Sequence, residues 1–193
     1  MRYKTIETDL SIRVNIQRSI FISHVKRIFT KEDAEEFIKN IKDEYKDATH
    51  NPFAYRLLNG TFQYSDDGEP SKSASIPIFN AIRSNGVYNV AVVVTRYFGG
   101  VKLGIPGLIE AYYSTADFAI KSAKVVEVST KKRFKISLPY QSLNYLYYVL
   151  SKVESKVLEK NFGEFSIFEI EINEDDEEKF LGLLSKEKSI QYL

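Results

Sequence analysis

Residues 92–108, VVVTRYFGGVKLGIPGL, pass from a β-branched run through a glycine-rich loop into helical periodicity. Four of the chain's nine glycines fall between Gly99 and Gly107. Extended back to Tyr88, the run YNVAVVVTRYF is too apolar for a strand with one wet face, which predicts a central strand in a sheet covered on both sides. From Leu108 to Ser122 the apolar positions Leu108, Ala111, Tyr112, Thr115, Ala116 and Ala119 recur at helical spacing. Strand, glycine loop and helix start together have the geometry of an anion cradle, with phosphate as the obvious ligand. Gly99, Gly100 and Gly104 would form it. Gly99 and Gly104 have the Walker-A spacing, but Ile105-Pro106 stands in place of Lys-Ser/Thr, and no GxGxxG fingerprint is present. The alternative is that the glycines only permit positive φ and close packing where a buried strand turns back, with Pro106 in the first helical turn.

Outward from this stretch, RSIFISHVKRI (18–28) reads as a strand. TKEDAEEFIKNIKDEY (30–45) reads as a helix with a Thr30/Asp33 capping box. FAYRLL and TFQY read as short strands joined by an Asn59-Gly60 hairpin turn, and SASIPIFNAIRSNG as a helix closed by Gly86. The last third repeats neither pattern: KVVEVSTKKRFKISLP gives a strand, YQSLNYLYYVLSK a helix, SKVLEKNFGEFSIFEIEIN two strands, EDDEEKFLGLLSKEK a helix and SIQYL a strand. That order, βαββαβ, is the ferredoxin-like split pattern. The expected class is α+β with two domains, residues 1–129 and 130–193.

Lys plus Arg number 27 against 26 Asp plus Glu, so the net charge of +1 advertises no global nucleic-acid field, and any anion site must be local. The absence of Cys rules out disulfides, thiolate zinc sites and thiol nucleophiles. No apolar run approaches the ~18 residues of a membrane span, and MRYKTIETDL lacks a secretory apolar region, which places the expected protein in the cytoplasm.

A second polar constellation flanks the hairpin. DATHNPFAYR and YSDDGEPSKSAS carry His50, Arg56, Asp66, Asp67, Glu69, Ser71 and Ser73. Asp-Asp-Gly-Glu-Pro is also an ordinary turn composition, and its carboxylates beside Arg56, Arg96 and Lys102 would serve equally as rim ion pairs. Of the two histidines, His24 lies in a strand and reads as packed or exposed; His50, in a polar loop, is the one suited to chemistry.

Taken together, DATHNPFAYR, SDDGEPSKSA and VVVTRYFGGVKLGIPGLIEAY resemble the signature blocks of the Impact family, the YigZ-type proteins, in order and spacing over Asp47 to Tyr113. Ser19-Ile20-Phe21 is similar to that family's Ser-Arg-Phe entry strand, and the tail from Arg133 resembles the second domain of its bacterial and archaeal members. The resemblance implies an N-terminal βαβ superfold similar to domain four of elongation factor G and a ferredoxin-like C-terminal domain similar to its domain five. It also implies a translation- or stress-related regulatory or binding role, with the ribosome, structured RNA or a translation-related protein as partner. In eukaryotic relatives the domain accompanies a regulator of the amino-acid-starvation kinase, acting by protein competition. No cofactor is implied.

The chain departs from the family pattern at three glycines. Pro-Ser-Gly-Thr-Ala-Gly becomes Pro70-Ser71-Lys72-Ser73-Ala74-Ser75, and Leu-Gly-Ala-Gly-Gly-Leu becomes Leu103-Gly104-Ile105-Pro106-Gly107-Leu108. Lys72 and Ser73 supply groups able to bind an anion, while Pro106 removes a backbone N–H from the loop. Pro52 stands where the family has Cys.

Two readings follow. In the first, a binding module without chemistry engages RNA, a ribosomal surface or a protein through the second domain's sheet and its Tyr and Phe side chains together with Arg56, Arg96 and Lys102. The alternation Phe165, Ile167, Glu169, Glu171 puts no basic-aromatic stripe on the second domain's sheet. In the second, an enzyme or binder takes a phosphorylated or nucleotide-like ligand. His50 would be the acid or base, Asp66, Asp67 and Glu69 metal ligands or proton acceptors, and Arg96 with Lys102 the anion clamp. Binding is preferred over catalysis.

Overall fold

The computed structural model describes all 193 residues, Met1–Leu193. The chain divides into two compact units, one formed by Tyr3–Glu127 and the other by Val128–Leu193 with Met1–Arg2. The protein is a mixed α and β structure.

In the larger unit, β2 (Leu10–Ile16), β3 (Ser19–Arg27), β4 (Phe53–Arg56), β5 (Phe62–Ser65) and β6 (Val90–Tyr97) make one antiparallel sheet of order β2-β3-β6-β4-β5. The β-branched run is the middle strand, and every residue from Val90 to Arg96 is buried. Its alternate side chains enter two different cores. Val90, Val92 and Val94 pack with Ile78, Ala81 and Ile82 of α2 (Ser75–Ser84) and with Ala111, Tyr112 and Ala116 of α3 (Gly104–Ser122). Ala91 and Val93 pack with Ala34, Phe37, Ile38 and Ile41 of α1 (Lys31–Glu44). A strand covered on both faces has no use for polar alternation, which is why the sequence shows none. The helix α1 opens with the expected capping box: Asp33 N donates to Thr30 Oγ1 at 3.1 Å, and Asp33 Oδ2 accepts from the Thr30 N–H at 3.0 Å.

Two strands add to the expected set. β1 (Arg2–Ile6) pairs with β7 (Val125–Ser129), and β2 alternates Leu10, Ile12, Val14 and Ile16 with Ser, Arg and Asn. The tight β2–β3 turn runs through Gln17 and Arg18, both in the left-handed region at φ 43° and 67°. It explains Gly99: a Cβ there would lie 1.9 Å from the Arg18 carbonyl oxygen, so the strand can leave the sheet at this point only without a side chain.

In the smaller unit, β8 (Lys131–Leu138), β9 (Ser155–Asn161), β10 (Ser166–Asn173) and β11 (Gln191–Tyr192) form an antiparallel sheet of order β11-β8-β10-β9. With α4 (Leu143–Leu150) and α5 (Glu177–Leu184) this is the βαββαβ order read from the sequence. Its core holds Ile136, Leu138, Leu146, Phe168, Ile170 and Phe180. The run 124–139 is two strands rather than one. Thr130 breaks it, because its N–H donates to the Met1 carbonyl and its own carbonyl accepts from Glu174 N. No helix is long and apolar enough to cross a membrane.

His24, on β3, is 2% exposed and its tautomer follows from its neighbours. Thr95 Oγ1 donates to Asn51 Oδ1 at 2.6 Å and so accepts from His24 Nε2 at 3.2 Å, which leaves Nδ1 to accept from Ser11 Oγ at 2.8 Å. Burial pushes the imidazole from 6.5 down to about 4. The unfolded chain takes up this proton at a higher pH than the folded one. The stabilisation is therefore complete above the ordinary histidine range and disappears as pH falls toward 4. His24→Gln is expected to flatten that dependence, removing about 3 kcal/mol of the difference in urea-unfolding free energy between neutral pH and pH 4. Equal pH slopes in the two proteins would contradict the buried neutral ring.

Candidate functional site

The C-terminal end of β6 opens into a cleft of about 340 Å³. His50, Glu69, Arg96, Lys102 and Gly104 line it, with Phe98, Leu103, Ile105 and Leu108 as apolar walls. Three separate segments of the sequence thus meet: the loop before β4, the turn after β5, and the glycine loop that starts α3.

Arg96 is the innermost of these groups, 6% exposed. Its Nη1 donates to Glu69 Oε1 at 2.6 Å, and Tyr112 Oη donates to the same oxygen at 2.7 Å. Its guanidinium lies between the rings of Phe21 and Phe98, at 5.6 and 5.5 Å from their centroids, and its Nε has no hydrogen-bond partner. Burial and the neighbouring Glu69 charge push the Tyr112 hydroxyl far up, so it stays protonated and serves as a donor. Glu69 is consequently a neutralised carboxylate. Lys102 is exposed and forms no salt bridge, which leaves the cleft with an excess positive charge.

The backbone fixes His50 against the same strand: Arg96 N donates to the His50 carbonyl at 2.8 Å, and the two residues form an isolated antiparallel bridge. His50 Nδ1 donates to the Asp67 carbonyl at 2.8 Å, so the neutral ring offers Nε2 as an acceptor. Gly68, at φ 90°, allows this approach; a Cβ would sit 3.0 Å from the imidazole.

The other expected site residues lie elsewhere. Asp66 accepts from the N–H groups of Lys72, Ala74 and Ser75, organising the start of α2. Asp67 accepts from Lys42 Nζ at 2.5 Å and from Asn51 N at 2.7 Å. Burial raises the Asp67 carboxyl, but these two donors outweigh it and hold the group below the usual range. The three carboxylates therefore point to three different partners, and no group of three or more His, Asp or Glu is placed to hold a metal ion. Ser73 is buried and donates to the Pro70 carbonyl, while Ser71 is exposed and outside the cleft lining. Gly99 packs on Arg18, and Gly100, at φ 82°, turns the chain; neither lines the cleft. Arg56 sits on Tyr88, with its guanidinium carbon 3.8 Å from the ring centroid and Nη2 2.8 Å from the hydroxyl. It belongs to another surface because it precedes the hairpin turn, at the end of β4 remote from His50.

Tyr112 escapes a reading based on periodicity, which treats it as core. The signal was its hydroxyl, since a buried tyrosine needs a polar partner. In the smaller unit the outer face of the sheet sets Glu171 opposite Arg133 and Glu169 opposite Lys135, with Arg133 Nε 3.2 Å from Glu171, so no basic stripe forms.

Fold and cleft define a two-unit α+β protein with a positively charged hollow at the end of a central strand. The profile of the Impact N-terminal domain matches residues 17–120. The chain is 35% identical over 162 residues to the IMPACT family member YvyE of Bacillus subtilis, covering 83% of this chain and 71% of that protein. Identity to the IMPACT family member YigZ of Escherichia coli is 25% over 159 residues, 80% of this chain and 78% of YigZ. Against Protein IMPACT of Oryctolagus cuniculus it is 28% over 101 residues, 50% of this chain but 32% of the rabbit protein. A crystal structure of a hypothetical protein superposes with a TM-score of 0.72 at 23% identity, over 100% of this chain and 96% of the other, a likeness of fold. The chain belongs to the Impact family, and this membership supports a regulatory or binding role.

Breaking the buried pair from one side strands a charge. Glu69→Ala is expected to lower the unfolding free energy by about 3–5 kcal/mol, whereas Glu69→Leu combined with Arg96→Met and Tyr112→Phe, which leaves neither a charge nor the Tyr112 hydroxyl unpaired, retains most of the wild-type value. Urea titrations of the three proteins check this, and a triple variant as unstable as the single one would show that the loss does not come from stranded polar groups.

Proposed function

We propose that this chain is a translation- or stress-related regulatory binding protein of the cytoplasm, and that its cleft receives an anionic group of a ribosomal or translation-related partner. One observation carries the reading: the only carboxylate lining the cleft, Glu69, is already neutralised by Arg96 and Tyr112. Lys102, exposed and without a salt bridge, then remains as the uncompensated donor beside an apolar wall. A phosphate or carboxylate attached to an apolar body complements that arrangement. The kinship with Impact proteins supports the regulatory context.

The enzyme reading draws on His50, whose engaged Nδ1 leaves Nε2 free to accept a proton from a phosphorylated or nucleotide-like ligand. Turnover of phosphoesters that disappears in His50→Ala would favour it over binding alone.

Lys102→Ala is expected to weaken binding of a phosphate-bearing probe such as AMP about ten-fold at unchanged melting temperature, because the side chain is exposed and unpaired. Sedimentation with ribosomes through sucrose gradients at low and high salt tests the partner. Absence of co-migration at both salts removes the translational reading, and equal retention of wild type and Lys102→Glu moves the contact away from the cleft.

A further inference from the structure

The hairpin of β4 and β5 carries a second surface that the cleft does not use. β5 is an outer strand of its sheet, paired only with β4. Phe62 and Tyr64 stand two residues apart on one face of it and are 55% and 40% exposed. Their rings are nearly parallel, 16° apart, with centroids separated by 6.4 Å. Phe79 of α2 tilts against both, at 5.2 and 5.8 Å. Phe62 and Phe79, together with Arg56, Gly60, Arg83 and Tyr88, line an open hollow of about 380 Å³.

The charges here are one-sided. Neither Arg56 nor Arg83 forms a salt bridge, and no acidic residue lines the hollow. Arg56 is held against Tyr88 by stacking and a hydrogen bond, which keeps a cation in place at the edge of the aromatic group. Exposed rings on an edge strand do little for the core and are a liability in a free chain, so their clustering calls for an occupant.

We infer that this face binds single-stranded nucleic acid, with bases stacked on Phe62 and Tyr64 and backbone phosphates held by Arg83 and Arg56. Flat, nearly parallel rings suit planar bases. Their 6.4 Å separation is close to two steps of the roughly 3.4 Å base repeat along a strand. Two uncompensated arginines supply the complementary charge. An acidic peptide fits less well, since a four-residue edge strand turns the backbone groups of only two residues outward for pairing with an added strand. With two phosphate contacts, binding is weak and only mildly salt-dependent. The face is separate from the cleft, and the proposal is independent of the reading given to that site.

Fluorescence anisotropy of labelled decamers of uridylate and adenylate RNA tests it. Wild type is expected to bind both, with a slope of log affinity against log salt of about −1.4. Phe62→Ala should weaken binding about ten-fold or more, and Arg83→Ala should reduce the slope by about 0.7. Both side chains are exposed, so melting temperatures should not change. Phe118→Ala, equally exposed on α3, serves as the control and should bind like wild type. No binding of either decamer by wild type, or an unaltered affinity in Phe62→Ala, overturns the proposal. Poly-glutamate competing as well as RNA would overturn it in favour of an acidic-peptide surface. AMP binding to the cleft is measured separately, so failure of one site leaves the other testable.

Discussion

The Arg96–Glu69 ion pair, closed by the Tyr112 hydroxyl, is the constraint around which the larger unit is organised. Each charge would cost several kcal/mol to bury alone, and near-ideal distances of 2.6 and 2.7 Å are what offset that cost. The three residues come from β6, the turn after β5, and α3, so their contact fixes the mutual position of elements far apart in sequence. The turn itself is built to permit this. Asp67 at φ 47° and Gly68 at φ 90° swing the backbone through the left-handed region, and consecutive acidic residues fan out in different directions. Asp66 goes to the start of α2, Asp67 to Lys42 and Asn51, and Glu69 to Arg96. One loop thereby ties α1, α2 and the central strand together.

Polarity enters β6 only at its end, and on both faces at once. Thr95 points to the α1 side and joins His24 and Asn51 in a neutral hydrogen-bonded chain. Arg96 points to the α3 side and meets Glu69. The preceding valines give this strand end its rigidity, since their side chains are locked between two cores. A cleft on such a support keeps its geometry without a ligand, which suits recognition by preformed charge.

Much of this was legible in the sequence, for physical reasons that differ from element to element. The buried strand, the capping box at Thr30 and the Asn59-Gly60 turn are local signals, and all three appear, with Gly60 at φ 91°. The convergence of His50, Glu69, Arg96 and Lys102 was legible only through the resemblance of three distant blocks, because spacing along a chain does not say which loops meet. Arg56 shows the limit of grouping by proximity. It lies six residues after His50, yet the strand between them carries it to the opposite end of the hairpin and onto Tyr88. Likewise Asp66 and Asp67 are adjacent to each other and share no ligand direction. The strand β2 had a clear two-residue alternation, but Arg13 and Asn15 within it lower its apolar character. The break at Thr130 had no local signal, since it depends on Met1 and Glu174.

The departures from the family's glycine pattern bear on what the cleft recognises. Lys72 occupies a left-handed conformation at φ 63°, where glycine would be unstrained; its N–H donates to Asp66, and that bond offsets a strain of order 1 kcal/mol. Ser75 brings a buried hydroxyl that has no partner in the structure. Pro106 lies within the first turn of α3, where a missing N–H breaks no intrahelical bond, so the helix tolerates it. What it removes is a donor facing outward. Gly99 and Gly100 are used for close packing and turning rather than for cradling, and only Gly104 of the loop glycines reaches the cleft. In the proposed reading, recognition there would fall to side chains, chiefly Lys102, and not to a ring of backbone amides. A flexible lysine and a recessed guanidinium discriminate by charge and reach, and less sharply by shape, than an amide cradle would. In the binding reading proposed above, such a cleft would suit an anionic group presented on a larger partner, whose remaining surface would supply the specificity.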